Sequence, residues 1–198
     1  MTKAEKTKIY IIETSAVLFL KHGFEATSLS MLTKATGLTK GAIYGNFKDK
    51  NDLGLQVFLY SFKILYSNLE DCLRGESSAE HAIRRFLNFY KNYFDFIIKY
   101  GSCPLVSFGI QTNSDSIAIK KAVTNAIIEV ESLLSGVLAR GIDGGEFYLS
   151  IPPNVFAKQL FTLIQGGVTQ SLITEDPKYI KNTATYLEHL FQTSVRRN

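Results

Sequence analysis

Two cysteines, three histidines and four prolines are all that this chain of 198 residues carries of those types. Two cysteines are too few to staple a secreted fold, and neither Cys72 nor Cys103 stands in a Cys-x-x-Cys or Cys/His spacing that would hold zinc. His22, His81 and His189 are scattered and read as surface or cap positions. No window approaches the roughly 18 apolar residues of a membrane span. The apolar pieces near the N-terminus are cut by Glu13 and Lys21, so a signal-peptide core is missing as well. The expectation is a cytoplasmic chain with no membrane partner. No stretch sustains the alternation of a β-strand, and neither a repeat nor a low-complexity tract appears. The glycine-rich "GIDGGEF" follows no strand and lacks a Gly-Lys-Ser/Thr ending, which makes it a tight loop rather than a phosphate loop. An all-helical enzyme would need paired acids, a metal cluster or a Ser/His/Asp set. None can be assembled, so no catalytic residue, cofactor or metal is expected.

What is present is apolar residue at helical spacing and an uneven charge. Hydrophobic residues make up 45% of the chain, enough to bury a core. The net charge of +4 sits entirely in the first quarter: residues 1–50 carry eight lysines against four acids, and the remainder carries fourteen of each sign. A basic N-terminal module on a neutral body points to an anionic partner for the module alone.

Ile9, Ile12, Ala16, Phe19 and Leu20 form one helical stripe, stopped by Gly23 after Lys21 and His22. Thr27-Ser28 starts a second helix with Leu29, Leu32 and Ala35 on one face, broken by Gly37. Thr39 starts a third, expected to run to about Phe47. Asp49 or Asn51 caps a fourth that ends near Gly75. Ser78 opens an aromatic-rich fifth, expected to continue to about Gly101. A short apolar piece, Leu105 to Gln111, follows Pro104. Ser114 or Ser116 begins a long helix ending at Arg140-Gly141. Pro152-Pro153 starts another through Leu172, and Pro177 the last, to about Val195. The fold expected is all-α.

The second and third of these helices, joined by a turn at Gly37, have the layout of a helix-turn-helix, in which the second helix enters the major groove. Thr39, Lys40, Gly41 and Ala42 suit its groove-facing start: a hydroxyl, a cation and two residues small enough for close approach. Tyr44 and Lys50 can reach flanking phosphates, while Ile43 and Phe47 face inward. The stretch "GFEATSLSMLTKATGLTKGAIYGNFKDKNDL", Gly23 to Leu53, closely resembles the DNA-binding domain of the TetR/AcrR family of bacterial one-component repressors. The resemblance implies phosphate contacts from Thr27 and Ser28 and groove contacts from Thr39, Lys40, Gly41 and Ala42. It further implies a phosphate-binding tyrosine at Tyr44 and a phosphate lysine at Lys50. The pattern departs from the family at Asn46, where histidine is usual, at Gly45, usually bulkier, and at Met31, often acidic. Asn46 can still donate to a phosphate.

The resemblance implies a three-helix DNA-binding domain over residues 1–51. Residues 52–198 would form a helical effector-binding and dimerisation domain, working as a homodimer on double-stranded operator DNA and answering to a small-molecule effector. In the family, effector binding tilts the fourth helix and separates the recognition helices. Twelve of the 24 Phe and Tyr residues lie between Phe58 and Phe108. Phe62, Tyr66, Phe86, Phe89, Tyr90, Tyr93 and Phe108 could wall a site for an apolar or aromatic molecule, with Gln111 and tyrosine hydroxyls as polar handles; plain core packing is the competing reading. Cys103, in "GSCPL" beside a helix start, is either a ligand-lining thiol with sensor chemistry or a small buried residue. The last two helices, with Gly166 and Gly167 permitting close approach, are expected to pair with their copies in a dimer, or else to form a core within one chain. The rival to a regulator is a helical small-molecule binding protein that no longer binds DNA.

Overall fold

A computed structural model describes residues 1–75, 78–111 and 116–195. Among them there are ten α-helices, a closing π-helical turn and no β-strand. The helices are α1 (Lys3–His22), α2 (Leu29–Thr36), α3 (Lys40–Tyr44), α4 (Lys50–Leu73), α5 (Ala79–Lys91), α6 (Tyr93–Tyr100), α7 (Pro104–Gln111), α8 (Ile117–Asp143), α9 (Pro153–Thr174) and α10 (Lys178–Leu190), and the turn is Phe191–Val195. The chain divides into two compact units, one of residues 1–64 with 97–126 and one of residues 65–96 with 127–198.

Local chemistry explains most boundaries. Thr2 and Glu5 form a reciprocal capping box at the start of α1, and Gly23, at φ 93°, ends it. Ser28 caps α2, which stops at Gly37 in the left-handed region. Thr39 caps α3. That helix is shorter than its pattern predicts and ends before Phe47. Gly45 N–H already bonds to Gly41 O, and the Asn46 amide donates to Ala42 O at 2.8 Å, so the last carbonyls are satisfied by a turn. The expected single helix from Ser78 to Gly101 is two helices. Asn92 leaves helical geometry at φ −105°, ψ 13°, and its side chain bonds to Asn88 O, the local competition with backbone that makes asparagine a helix breaker.

The first unit is built around five rings. Phe108 of α7 lies 6.3 Å from Phe19, 6.1 Å from Phe24 and 5.5 Å from Phe58, and Phe58 stacks on Phe62 at 5.9 Å. The Phe108 contacts with Phe19 and Phe58 are edge to face, a geometry that adds to area burial. In the second unit α10 packs against both α9 and α5. Leu160, Ile164 and Val168 of α9 and Ile180, Ala184 and Leu187 of α10 are buried. A Cβ at Gly167 would stand 2.8 Å from Thr183 Oγ1 and 3.2 Å from Ile180 Cα, whereas one at Gly166 would meet nothing within 4 Å. The paired glycines therefore separate: Gly167 serves the α9/α10 contact inside the chain, and only Gly166 faces outward. The expectation that no window approaches a membrane span does not hold for α8, which is long and apolar enough to cross one by length and composition alone. Its buried residues Ile119, Val123, Ala126, Val130, Leu134 and Val137 recur at helical spacing, the pattern of an amphipathic core helix.

Candidate nucleic-acid interface

Leu32 of α2, Ile43 of α3 and Phe47 beyond it are buried, as are Ile11, Ile12, Ala16 and Phe19 of α1, which packs on α2. These anchors leave the opposite faces of α2 and α3 outward. Ser28, Thr39, Lys40 and Gly41 are exposed, and Ala42 and Tyr44 are half-buried. Ser28 Oγ accepts the Met31 N–H at 3.2 Å and Thr39 Oγ1 accepts the Ala42 N–H at 3.2 Å. A capping hydroxyl uses an acceptor lone pair, so its own hydrogen stays available to an outside oxygen. The chain contains such an arrangement elsewhere: Ser78 Oγ accepts His81 N–H while donating to the Glu146 carboxylate at 2.7 Å. An anion at a capped helix start is thus compatible with the cap itself.

Three of the expected contacts sit differently. Thr27 is 0% exposed, and its hydroxyl donates to Gly23 O at 2.7 Å. Its side chain braces the connection between α1 and α2 and presents no donor at the surface, a correction to the phosphate contact expected of it. The Asn46 amide is engaged with Ala42 O, ending α3. Lys50 donates to Glu25 O at 3.0 Å and its ammonium lies 4.8 Å from the Phe24 ring centroid. Burial lowers its pKa, opposed by the nearby Glu25 carboxylate. Two residues outside the expected set complete the surroundings. Tyr10 OH donates to Thr36 O at 3.1 Å, tying α1 to the helix-turn-helix turn, and the Lys8 ammonium lies 5.5 Å over the Phe47 ring. The sequence signal for both is the lysine and tyrosine content of α1.

Two family models match the chain: bacterial regulatory proteins of the tetR family over residues 11–57, and the tetracyclin repressor-like C-terminal domain over residues 81–187. The chain belongs to the TetR family. It is a transcriptional regulator of the helix-turn-helix type, a family of regulators rather than enzymes. Its N-terminal part is similar to the HTH-type transcriptional regulator AcrR of Shigella flexneri, 41% identical over 56 residues, which span 28% of this chain and 26% of that one. The HTH-type transcriptional repressor NemR of Escherichia coli is 22% identical over 191 residues, covering 94% of both chains. A TetR-family regulator from Cytophaga hutchinsonii superposes with a TM-score of 0.90 at 26% identity, covering 100% of this chain and 98% of that one.

The residues expected to line an effector site in this TetR-family chain fall into the two units. Phe62, Cys103 and Phe108 belong to the first, where Cys103 is fully buried. Tyr66, Phe86, Phe89, Tyr90 and Tyr93 belong to the second, where the rings pack edge to face: Phe86 on Tyr90 at 5.0 Å and Phe89 on Tyr93 at 5.5 Å. Burial raises the Tyr66 hydroxyl's pKa, and Glu129 adds to it. Gln111 ends α7, and its side chain lies outside the described residues. A groove of about 510 Å³ between α8 and α9 is lined by Ile128, Ser132, Gly136, Val155 and Lys158, and contains none of these residues.

Proposed function

We propose that this protein is a homodimeric, ligand-responsive repressor that binds a palindromic operator through two helix-turn-helix units and is released by a small apolar or aromatic effector. Residues 1–51 bind DNA, and residues 52–198 hold the effector and the dimer contact. One observation carries the reading: the exposed Ser28 and Thr39 cap adjacent helices through hydroxyl oxygens that only accept, beside exposed Lys40 and Gly41, on a face anchored from behind by Ile43 and Phe47. That face offers donors, positive charge and clearance together, which a phosphate backbone and a major groove require. Thr39, Lys40, Gly41 and Ala42 face the groove. Ser28 and Tyr44 hold phosphates, and Lys50 and Asn46 join them when DNA competes for their present carbonyl partners. Repression agrees with the name of the full-length relative NemR. Phe62, Cys103, Phe108 and Gln111 of the first unit, and separately Tyr66, Phe86, Phe89, Tyr90 and Tyr93 of the second, remain the proposed effector contacts.

The test uses a duplex selected by the wild-type chain from a random-sequence library. Lys40→Ala and Tyr44→Phe should each weaken its binding; removing the Lys40 cation should also flatten the dependence of log affinity on log salt, whereas Tyr44→Phe, which removes no charge, should leave that slope unchanged. Unchanged sedimentation and helical content would show that the fold persists. Two variants indistinguishable from wild type across the titration would refute the assignment. Failure of the wild type to select any duplex would favour a helical small-molecule binding protein.

A further inference from the structure

The lysines at the start of α1 are absorbed neither by the helix-turn-helix nor by the core. Lys3, Lys6 and Tyr10 stand at positions i, i+3 and i+7, so they share one face of α1. That face is fixed relative to the DNA-reading helices at its inner end, where Tyr10 OH donates to Thr36 O, the last residue of α2. From Tyr10 the stripe runs outward along the axis. Lys6 is displaced by about 6 Å and Lys3 by about 10 Å, from a rise of ~1.5 Å per residue. Both are exposed, and α1 buries nothing before Ile11. The helix is nevertheless formed from Lys3 onward, because the Thr2–Glu5 capping box holds its first turn.

Neither acid of α1 is directed at this stripe. The Glu5 carboxylate is turned back onto Thr2 N–H at 2.7 Å, and Glu13 accepts from Tyr60 OH. On the adjacent face Lys8 sits over Phe47, just past the end of α3. The result is a preformed basic strip that starts at the turn of the helix-turn-helix and leads away from it.

We propose that Lys3 and Lys6 form a second DNA contact, holding backbone phosphates of the duplex that flanks the operator repeat. The inference rests on the helix-turn-helix reading above and extends its footprint. A strip of this kind carries charge and no base-reading geometry, so it adds affinity for any flanking sequence and no preference among them. Because the helix is already ordered, the contact requires no folding on binding.

The experiment compares two duplexes: the library-selected repeat ending at its outermost base pair, and the same repeat with about ten random base pairs added at each end, roughly one turn of duplex. Binding by wild type, Lys3→Gln/Lys6→Gln and Lys40→Ala is titrated against salt. Glutamine keeps helix propensity and leaves the capping box intact. On the long duplex the Lys3→Gln/Lys6→Gln slope should be shallower than wild type by about 1.8 per chain, at ~0.9 per phosphate, irrespective of the flanking sequence. On the short duplex the double variant should match wild type, while Lys40→Ala loses affinity on both. Equal slopes for the double variant and wild type on the long duplex, with Lys40→Ala still impaired, would overturn the flank contact and leave the operator reading standing. Equal losses on both duplexes would overturn it by placing the lysines on the repeat itself. An unimpaired Lys40→Ala would overturn the operator reading instead.

Discussion

A single carboxylate closes the second unit at its least regular point. Glu146, in the loop after α8, accepts hydrogen bonds from Ser78 Oγ at 2.7 Å, Ala79 N–H at 2.9 Å and Glu80 N–H at 3.0 Å, so a residue 66 to 68 positions away caps the start of α5. Gly141 permits the approach: a Cβ there would stand 2.2 Å from the Phe147 ring and 2.9 Å from Ala79 Cβ. Burial by itself would raise the Glu146 pKa, but the backbone N–H of Glu80, the Ser78 hydroxyl, the Ala79 N–H and the Arg140 charge together lower it. The sign of the stability effect follows. A carboxylate whose pKa is depressed on folding binds fewer protons in the native than in the unfolded state. Its contribution is full above the ordinary carboxylate value of about 4.3 and is lost as the pH falls through the depressed native value. Urea unfolding of wild type and Glu146→Gln should therefore show the widest gap in midpoint near neutral pH, closing in acid. A gap that is independent of pH would mean that the interaction is not carried by the ionised carboxylate.

At the scale of elements, the entry of α4 is held from two sides. On one, Lys50 donates to Glu25 O and covers Phe24; on the other, Ser116 Oγ donates to Asn51 Oδ1 at 2.9 Å, just ahead of α8. Gly54 sits between: a Cβ there would lie 2.4 Å from Phe24 Cε2 and 3.1 Å from Ile119 Cδ1. The Phe24 ring has little room to yield, since it meets Phe19 at 5.3 Å and Phe108 at 6.1 Å. Alanine is favoured over glycine within a helix by about 1 kcal/mol, and overpacking costs about 1–3 kcal/mol. With contacts this short on two sides the second effect wins, and Gly54→Ala should lower stability by about 1–2 kcal/mol. Gly136→Ala in α8, where a Cβ meets nothing within 4 Å, should raise it by up to about 1 kcal/mol. Chemical denaturation of the two variants checks the pair, and a stabilised Gly54→Ala would show that α4 is not clamped there.

This contrast also marks what the sequence discloses. Ser28, Thr39, Gly23 and Gly37 were legible as caps and stops because each acts on a partner within four residues. The helix-turn-helix was legible for the same reason, being a local motif with its anchors in regular spacing. Thr27 was not: that its hydroxyl turns inward to Gly23 O depends on how the chain leaves α1, which residue type does not encode. The break at Asn92 was hidden by a run of aromatics that satisfies helical spacing on both sides of it. The aromatic residues between Phe58 and Phe108 read as one wall, but spacing along a chain cannot say that they divide between two packing units.

At the scale of the whole molecule the same limit governs assembly. Gly166 and Gly167 are indistinguishable as a dipeptide, yet one turns toward α10 of its own chain and the other toward open space. The outward side of the last two helices carries Leu163 at 46% exposure, Ile173 at 71% and Tyr186 at 59%, together with Tyr179, while their inward rows fill the core. An apolar outer face on a unit that already has a complete inner one is what a pairing surface between copies requires. The proposed homodimer therefore rests on the Gly166 side, and the two glycines give separable outcomes. Gly166→Leu should leave the chain folded and shift it toward monomer in sedimentation at micromolar concentration. Gly167→Leu should act first on folding, because its side chain would enter the space of Thr183 and the α10 backbone, lowering stability by about 1–3 kcal/mol as overpacking does. A wild-type monomer would dispose of the dimer. A Gly166→Leu chain that remains as dimeric as wild type would move the interface elsewhere on the surface, and a Gly167→Leu chain of undiminished stability would show that α9 and α10 are not packed as closely as their backbones indicate.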